Sequence, residues 1–377
     1  MRRGYLLNVT VLLLIIPLLL LAATYQQASS YIITSQSQRT LVERQYFGIN
    51  NIQDDLQNIV ELSFKRAYLT LTEYVINNNF VDNASLELTN LMIEGTLNGI
   101  PQGNMNGITI RDWFVTTVNY LNSIGMRVEP SDPDEFVRNH LEVTVGPLDS
   151  FHVAVRVKIK NITITDGSGA VRYSGDIPPG DGEYIYSIVS IVGFEDPFVV
   201  RELNGLYTRV ITPCKIPFPG ETYGYYNVSS QDDVEELVLN WCYLGLRDNS
   251  SAGMYYPTVL ERFEGKPIVS PQGMRQHSYY LAISREFQTA LGITNELPVG
   301  LETFLVPDPD TDKTLLGALE SVGASVPDDY TSVSYYFLKC SVDGLTEYCK
   351  HSVWDGSEFN YPTFKLDETT KTLVFGN

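Results

Sequence analysis

The chain has 377 residues, 44% hydrophobic and 19% charged, a balance that suits folded rather than disordered protein. Forty-five acidic side chains against 26 basic ones give a net charge of −19, which repels a phosphate backbone and argues against nucleic acid as a partner. The length allows two or three compact units.

The chain opens Met1-Arg2-Arg3-Gly4 and carries no charged residue from Gly4 to Gln38. Tyr5 to Ala23 is almost wholly apolar, with the runs Val11–Ile16 and Leu18–Leu21. A helix of about 20 such residues matches the roughly 30 Å hydrocarbon core of a bilayer. The spacing predicts a transmembrane anchor, kinked at Pro17, with residues 1–25 as cytoplasmic tip and span. Arg2 and Arg3 then place the N-terminus in the cytoplasm and the bulk of the chain outside the cell, with the lipid bilayer as a partner. A cleaved secretory signal fits less well, because Leu21-Ala22-Ala23 puts a large residue where a small one is preferred.

Residues 26–128 read as a helical stalk region. No proline interrupts the chain between Pro17 and Pro101. Apolar residues recur in steps of three or four at Ile49, Ile52, Leu56, Val60, Phe64, Ala67, Leu71 and Val75, which predicts an amphipathic helix from Thr40 to about Asn77, with Gly48 its weak point. Further helices are expected at Ser85–Glu94, capped from Asn83 to Ser85, and at Thr109–Ile124, with Trp113, Phe114, Val118 and Leu121 on one face and Gly125 closing it.

The segment Glu129-Pro130-Ser131-Asp132-Pro133-Asp134 reads as a boundary, beyond which residues 135–377 form a β-rich extracellular domain of one or two subdomains. Phe151, Val153, Val155, Val157 and Ile159 alternate with Arg156, Lys158 and Lys160, as in a half-buried antiparallel strand. Asp166-Gly167-Ser168-Gly169 turns it back at Val171 and Tyr173. Tyr184 to Val192, Ser332–Leu338 and Thr372–Phe375 are further strand candidates. Helices are expected at Asp232–Trp241 and Lys313–Val322. The expected fold class is therefore α+β: an N-terminal transmembrane helix and a long amphipathic helix, then an antiparallel β-rich module.

Cys214, Cys242, Cys340 and Cys349 lack CxxC spacing and suit two disulfides in an oxidising compartment. Pairing by proximity, Cys214 with Cys242 and Cys340 with Cys349, is the simplest of three arrangements. Glycosylation sequons occur at Asn83, Asn161, Asn227 and Asn249, and a fifth at Asn8 lies inside the apolar run. Asp308, Asp310 and Asp312 alternate as in a Ca2+ loop, but Lys313 stands where that loop needs glycine and Leu319 where it needs glutamate, so a turn with Asp312 as helix cap is the stronger reading. The acidic turn from Asp176 to Glu183 reads as a hairpin connection. His140, His152, His277 and His351 have no metal-ligand spacing, and no nucleophile elbow, P-loop or dinucleotide motif is present. Four adjacent tyrosine pairs, Tyr225-Tyr226, Tyr255-Tyr256, Tyr279-Tyr280 and Tyr335-Tyr336, put at most one ring of each pair in a core if they lie on strands.

Arg2, Arg3 and Gly4 followed at once by a long apolar helix resemble archaeal class III signal proteins, the type IV pilin-like group. The resemblance covers roughly the first 80 residues. It implies a cut after Gly4, a helical stem and pilin-like subunits as partners. Val9 stands where many bacterial pilins carry an acidic residue, and the outer region is large, which favours a minor subunit over the main filament component. The expected function is a non-enzymatic, membrane-anchored surface protein acting in assembly or adhesion. A glycan- or solute-binding module is the alternative, with surface glycans as partners, and an anchored hydrolase ranks third.

Overall fold

The computed structural model describes residues 3–167, 169, 171–202, 205, 209–215, 224–226, 242–248, 255–266, 268 and 271–303. Within the first helix, side chains are described at 15, 17–32, 35–36, 39–40, 42–43 and from 46 onward.

One helix dominates. α1 (Arg3–Asn77) runs 75 residues without a break at Pro17 or Gly48, about 110 Å at 1.5 Å per residue. Its second half buries the stripe expected from the spacing: Ile49, Ile52, Leu56, Val60, Phe64, Ala67, Leu71 and Val75 are all in the core. Each fully buried Val, Leu, Ile or Phe of that stripe stabilises by about 1.5–3 kcal/mol. The helix stops in the run Asn77-Asn78-Asn79, where the Asn77 and Asn78 amides bend back to donate to the carbonyls of Glu73 and Tyr74.

The expected membrane anchor is corrected by this helix. Among the described residues, no helix is long and apolar enough to cross a membrane. The apolar stretch Leu18 to Ala23 is exposed on this helix. Thr24, Gln26, Gln27, Ser29 and Ser30 follow it in the same helix. The transmembrane part of the expected fold class falls with it, and so does the single-pass placement with a cytoplasmic N-terminus and an extracellular bulk. The α+β character stands.

α2 (Ala84–Glu94) starts where Asn83 accepts from the Leu86 N–H and ends at Gly95 in the left-handed conformation, φ 71°. β1 (Thr96–Leu97) and β2 (Ile100–Pro101) form a small hairpin. α3 (Ile110–Ser123) is capped by the Thr109 hydroxyl. Its buried face is Ile110, Phe114, Val118 and Leu121, while Trp113 is half-exposed. Then come β3 (Met126–Glu129), the short α4 (Pro133–Glu135), β4 (Leu141–Asp149), β5 (His152–Asp166), β6 (Arg172–Ile177) and β7 (Ile185–Ser190).

β5 is the hub of a five-stranded antiparallel sheet. β4 and β7 pair with its first half, β3 and β6 with its second. Val153, Val155, Val157 and Ile159 share a core with α1, α2 and α3. The other face is not simply polar. Ala154 and Leu148 form a second core with Ile283 and Phe287, and Lys158 is buried, 3.1 Å from Asp176 and donating to the Gly180 carbonyl at 2.8 Å. The acidic turn after β6 is held down by this lysine, but it is not the expected hairpin connection: β6 and β7 do not pair with each other and succeed one another along β5, both antiparallel to it.

A smaller sheet follows α5 (Pro197–Glu202). β8 (Tyr225–Tyr226) runs parallel to β9 (Tyr243–Leu246). After α6 (Glu261–Glu264) comes the 20-residue α7 (Pro271–Ala290), which lays Ile283 and Phe287 on the large sheet. β10 (Gly300–Thr303) closes the small sheet antiparallel to β9. Cys214 and Cys242 form a disulfide beside β9, with 4.9 Å between their Cα atoms. Ser150, at the β4–β5 turn, ties the sheets together by bonding to the carbonyls of Pro298 and Gly300. The expected elements at Asp232–Trp241, Lys313–Val322, Ser332–Leu338 and Thr372–Phe375, and the cysteines Cys340 and Cys349, lie outside the described residues.

Candidate assembly surface

The first half of α1 has no partner of its own among the described residues. Its described apolar side chains are exposed: Leu18 70%, Leu21 71%, Tyr25 76% and Tyr31 72%, with Leu19, Leu20, Ile32 and Val42 similar. A helix this long with apolar residues facing water is the signature of a segment that packs against something else. Exposed apolar patches of this kind mark interaction sites.

A complementary feature sits where α1 enters the folded body. α1 and α3 enclose a groove of about 1090 Å3 along α1 from Thr40 to Leu62, a run of about 33 Å. Its walls include Phe47, Ile52, Ile59 and Leu62 from α1 and Trp113, Tyr120 and Ile124 from α3. Phe47 and Tyr120 are each 63% exposed. Glu43, Asn51, Asp55 and Asn58 supply polar groups at intervals. Glu43 is paired with Arg39 at 2.8 Å on the exposed surface, an interaction worth little in water. The groove has the form of a helix-receiving channel: apolar, elongated and flanked by polar groups.

The α3 wall arises because the helix carries two apolar faces. Phe114, Val118 and Leu121 satisfy the core, while Trp113 and Tyr120, seven residues apart, sit two turns apart on the groove side. Sequence reasoning placed Trp113 on the core face, where it does pack against the core from a partly buried position while also lining the groove, and passed over Tyr120. The available signal was an i, i+7 aromatic pair beside an already complete core stripe.

The other sequence candidates disperse. His140 Nδ1 lies 2.8 Å from the Lys160 carbonyl. His152 Nδ1 is 2.9 Å from Asp149, whose carboxylate also accepts from the Phe151 N–H, so the pair braces the β4–β5 turn. The bond to Asp149 raises the His152 pKa. Ser190 lies across from His152 in the β5–β7 register. His277 is buried between Glu261 at 3.0 Å and Asp248 at 2.7 Å. His351 lies outside the described residues.

Asn83 is engaged as the α2 cap. Asn161 is exposed in the left-handed conformation, φ 52°, at a β5 bulge. Asn227 and Asn249 lie outside the described residues, as do Asp308, Asp310 and Asp312. Among the described residues, no group of three or more His, Cys, Asp or Glu is placed to hold a metal ion. Arg3 and Gly4 are in the first turn of α1, and Arg2 lies outside the described residues. Tyr256 and Tyr280 are buried while their neighbours Tyr255 and Tyr279 are not, although the second pair sits on α7 rather than a strand. Tyr225 packs edge-on against Phe151, and Tyr335 and Tyr336 lie outside the described residues. Comparison with known proteins finds no matching family, curated protein or solved structure.

Proposed function

We propose that the protein is a non-enzymatic assembly subunit, pilin-like in its mode of association, in which the free half of α1 from one copy lies in the α1–α3 groove of the next. The observation that carries this reading is the coexistence on one chain of an unpartnered apolar helix and an apolar groove of helix length. The helix and the groove are different surfaces, so the contact is heterologous. Repeated heterologous contacts grow a filament unless they close into a ring.

Sedimentation velocity of the full-length chain tests it. The wild-type protein is expected to form concentration-dependent species larger than a monomer. Tyr120→Arg and Phe47→Arg change exposed positions, so the fold should persist while association weakens at least about tenfold, a loss of 1.4 kcal/mol or more. A strictly monomeric wild type, or assembly indifferent to both substitutions, overturns the reading.

A further inference from the structure

On the other flank of α1 a second recess, of about 560 Å3, lies between that helix and β7. α1 contributes Gln53, Asp54 and Gln57, and the strand side contributes Glu183, Tyr184 and Tyr186. None of these residues lines the α1–α3 groove.

The two tyrosines are held in place. The Arg156 guanidinium sits 4.8 Å from the centre of the Tyr184 ring, and the Tyr184 hydroxyl donates to Glu142 at 3.3 Å. Arg156 is itself paired with Glu286 of α7. Tyr186 packs edge-on against Phe287 at 5.9 Å and against Tyr184 at 6.5 Å. Rings fixed in this way lose little entropy when a ligand packs on them. The polar lining is uncommitted: the side chains of Gln53, Asp54 and Gln57 on α1 and of Glu183 on the strand side make no hydrogen bond or ion pair among the described residues. Two amides offer donors and acceptors, and two carboxylates offer acceptors.

The chemistry of the walls selects among ligands. An apolar ligand would strip water from four polar groups and leave them unpaired. An anion would face Asp54 and Glu183, while the nearby cations Arg156 and Lys158 are already paired with Glu286 and Asp176. A sugar presents an apolar C–H face to an aromatic ring and a rim of hydroxyls to amides and carboxylates, which matches both walls. The volume lies within the range of small-ligand sites, about 300–1,000 Å3. We infer that this cleft binds a neutral saccharide of one or two units, with Tyr184 and Tyr186 as the apolar platform and Gln53, Asp54, Gln57 and Glu183 as the hydroxyl partners. The inference does not depend on the assembly reading, because it uses different residues.

Saturation-transfer NMR and calorimetry on the full-length protein, with maltose, cellobiose, mannobiose and diacetylchitobiose as probes, test it. At least one probe is expected to bind with a millimolar dissociation constant. Gln57→Ala, at an exposed helix position, should weaken that binding about tenfold through lost hydrogen bonds, with an unchanged melting curve. Tyr186→Phe keeps the platform and should retain it. No binding by any probe at tens of millimolar, binding untouched by Gln57→Ala, or preferential binding of spermidine or of an extended peptide along β7 overturns the inference.

Discussion

Among the described residues Arg262 is the largest fully buried side chain, and its charge is met by Asp196, 2.9 Å from Nε. Tyr243 donates its hydroxyl to the same carboxylate at 2.7 Å, and Arg262 also donates to the Leu301 carbonyl. Removing one partner leaves a buried charge unmatched. Arg262→Met is therefore expected to lower unfolding free energy by about 3–5 kcal/mol, read from denaturant midpoints. Replacing Arg262, Asp196 and Tyr243 together with Met, Leu and Phe should return part of that loss, because both buried charges leave together, while the Phe198 N–H and the Leu301 carbonyl lose the partners they had in Asp196 and Arg262. Two other buried groups give stability a direction in pH. Burial pushes the Glu264 carboxyl up from 4.5 to about 7, against the pull of Tyr280 and the Ala84 N–H. Burial alone would lower His277, but Glu261 and Asp248 outweigh it and hold the imidazole up at about 10, from 6.5. Both groups keep a proton in the fold that the unfolded chain has released. Each contribution is complete below the ordinary value and is lost as pH rises through the folded one: 4.5 to 7 for Glu264, 6.5 to 10 for His277. The melting temperature should fall from mild acid to pH 10. Glu264→Gln should flatten the lower limb and His277→Gln the upper; unchanged slopes in the variants would refute the assignment.

Among the elements, α7 and the sheet meet at a point with no room for a methyl group. A Cβ on Gly146 would lie 2.3 Å from Ile283 Cγ2 and 3.2 Å from the Phe287 ring. Gly146→Ala is expected to destabilise by about 1–3 kcal/mol through overpacking. Ile283→Ala alone should cost about 2–5 kcal/mol. The double variant should lose less than the sum, because the truncated side chain accommodates the new methyl; additive losses would contradict the packing described. The same interface shows where the sequence was opaque. α1, α2, α3 and the β5–β6 hairpin were legible because their apolar residues keep period 3.6 or 2 and their ends carry Asn83, Thr109 and Gly125. α7 was not, because its buried face mixes Tyr280, Ile283 and Phe287 with His277, Ser284 and Gln288. Ser284 and Gln288 both donate to the Leu148 carbonyl, so the polar residues that hide the period are the ones that pin the helix down. β4 was missed because its first four residues are only half-buried and Gly146 and Pro147 break its alternation. The pairing of Cys214 with Cys242 could be preferred on proximity but not chosen, since only the approach of residue 214 to β9 brings the two together. The α1–α3 groove was illegible for another reason: each wall reads as an ordinary amphipathic helix until the two are placed side by side.

Across the whole molecule, one apolar segment and its proposed receptor lie on the same helix. The free part of α1, ahead of Thr40, centres near residue 21 and the groove near residue 51. If copies pack with parallel helices, neighbouring subunits are offset by about 45 Å along the α1 axis, the rise of those intervening residues. The apolar N-terminal run that invited a membrane reading has a second use in this arrangement, since a helix groove asks for the same greasy, uncharged surface that a bilayer does. Glutamines and serines between Thr24 and Ser30 interrupt that surface, which a groove with Asn51, Asp55 and Asn58 along it can accommodate. The most direct test is photo-crosslinking from the groove. Benzoylphenylalanine is placed at Tyr120 of the full-length chain, mixed with isotope-labelled wild type, irradiated and mapped by mass spectrometry. The account predicts crosslinks to the labelled copy, concentrated between residues 3 and 39, the part of α1 ahead of the groove. Crosslinks confined to the same chain, or to any other region of the second copy, would contradict it.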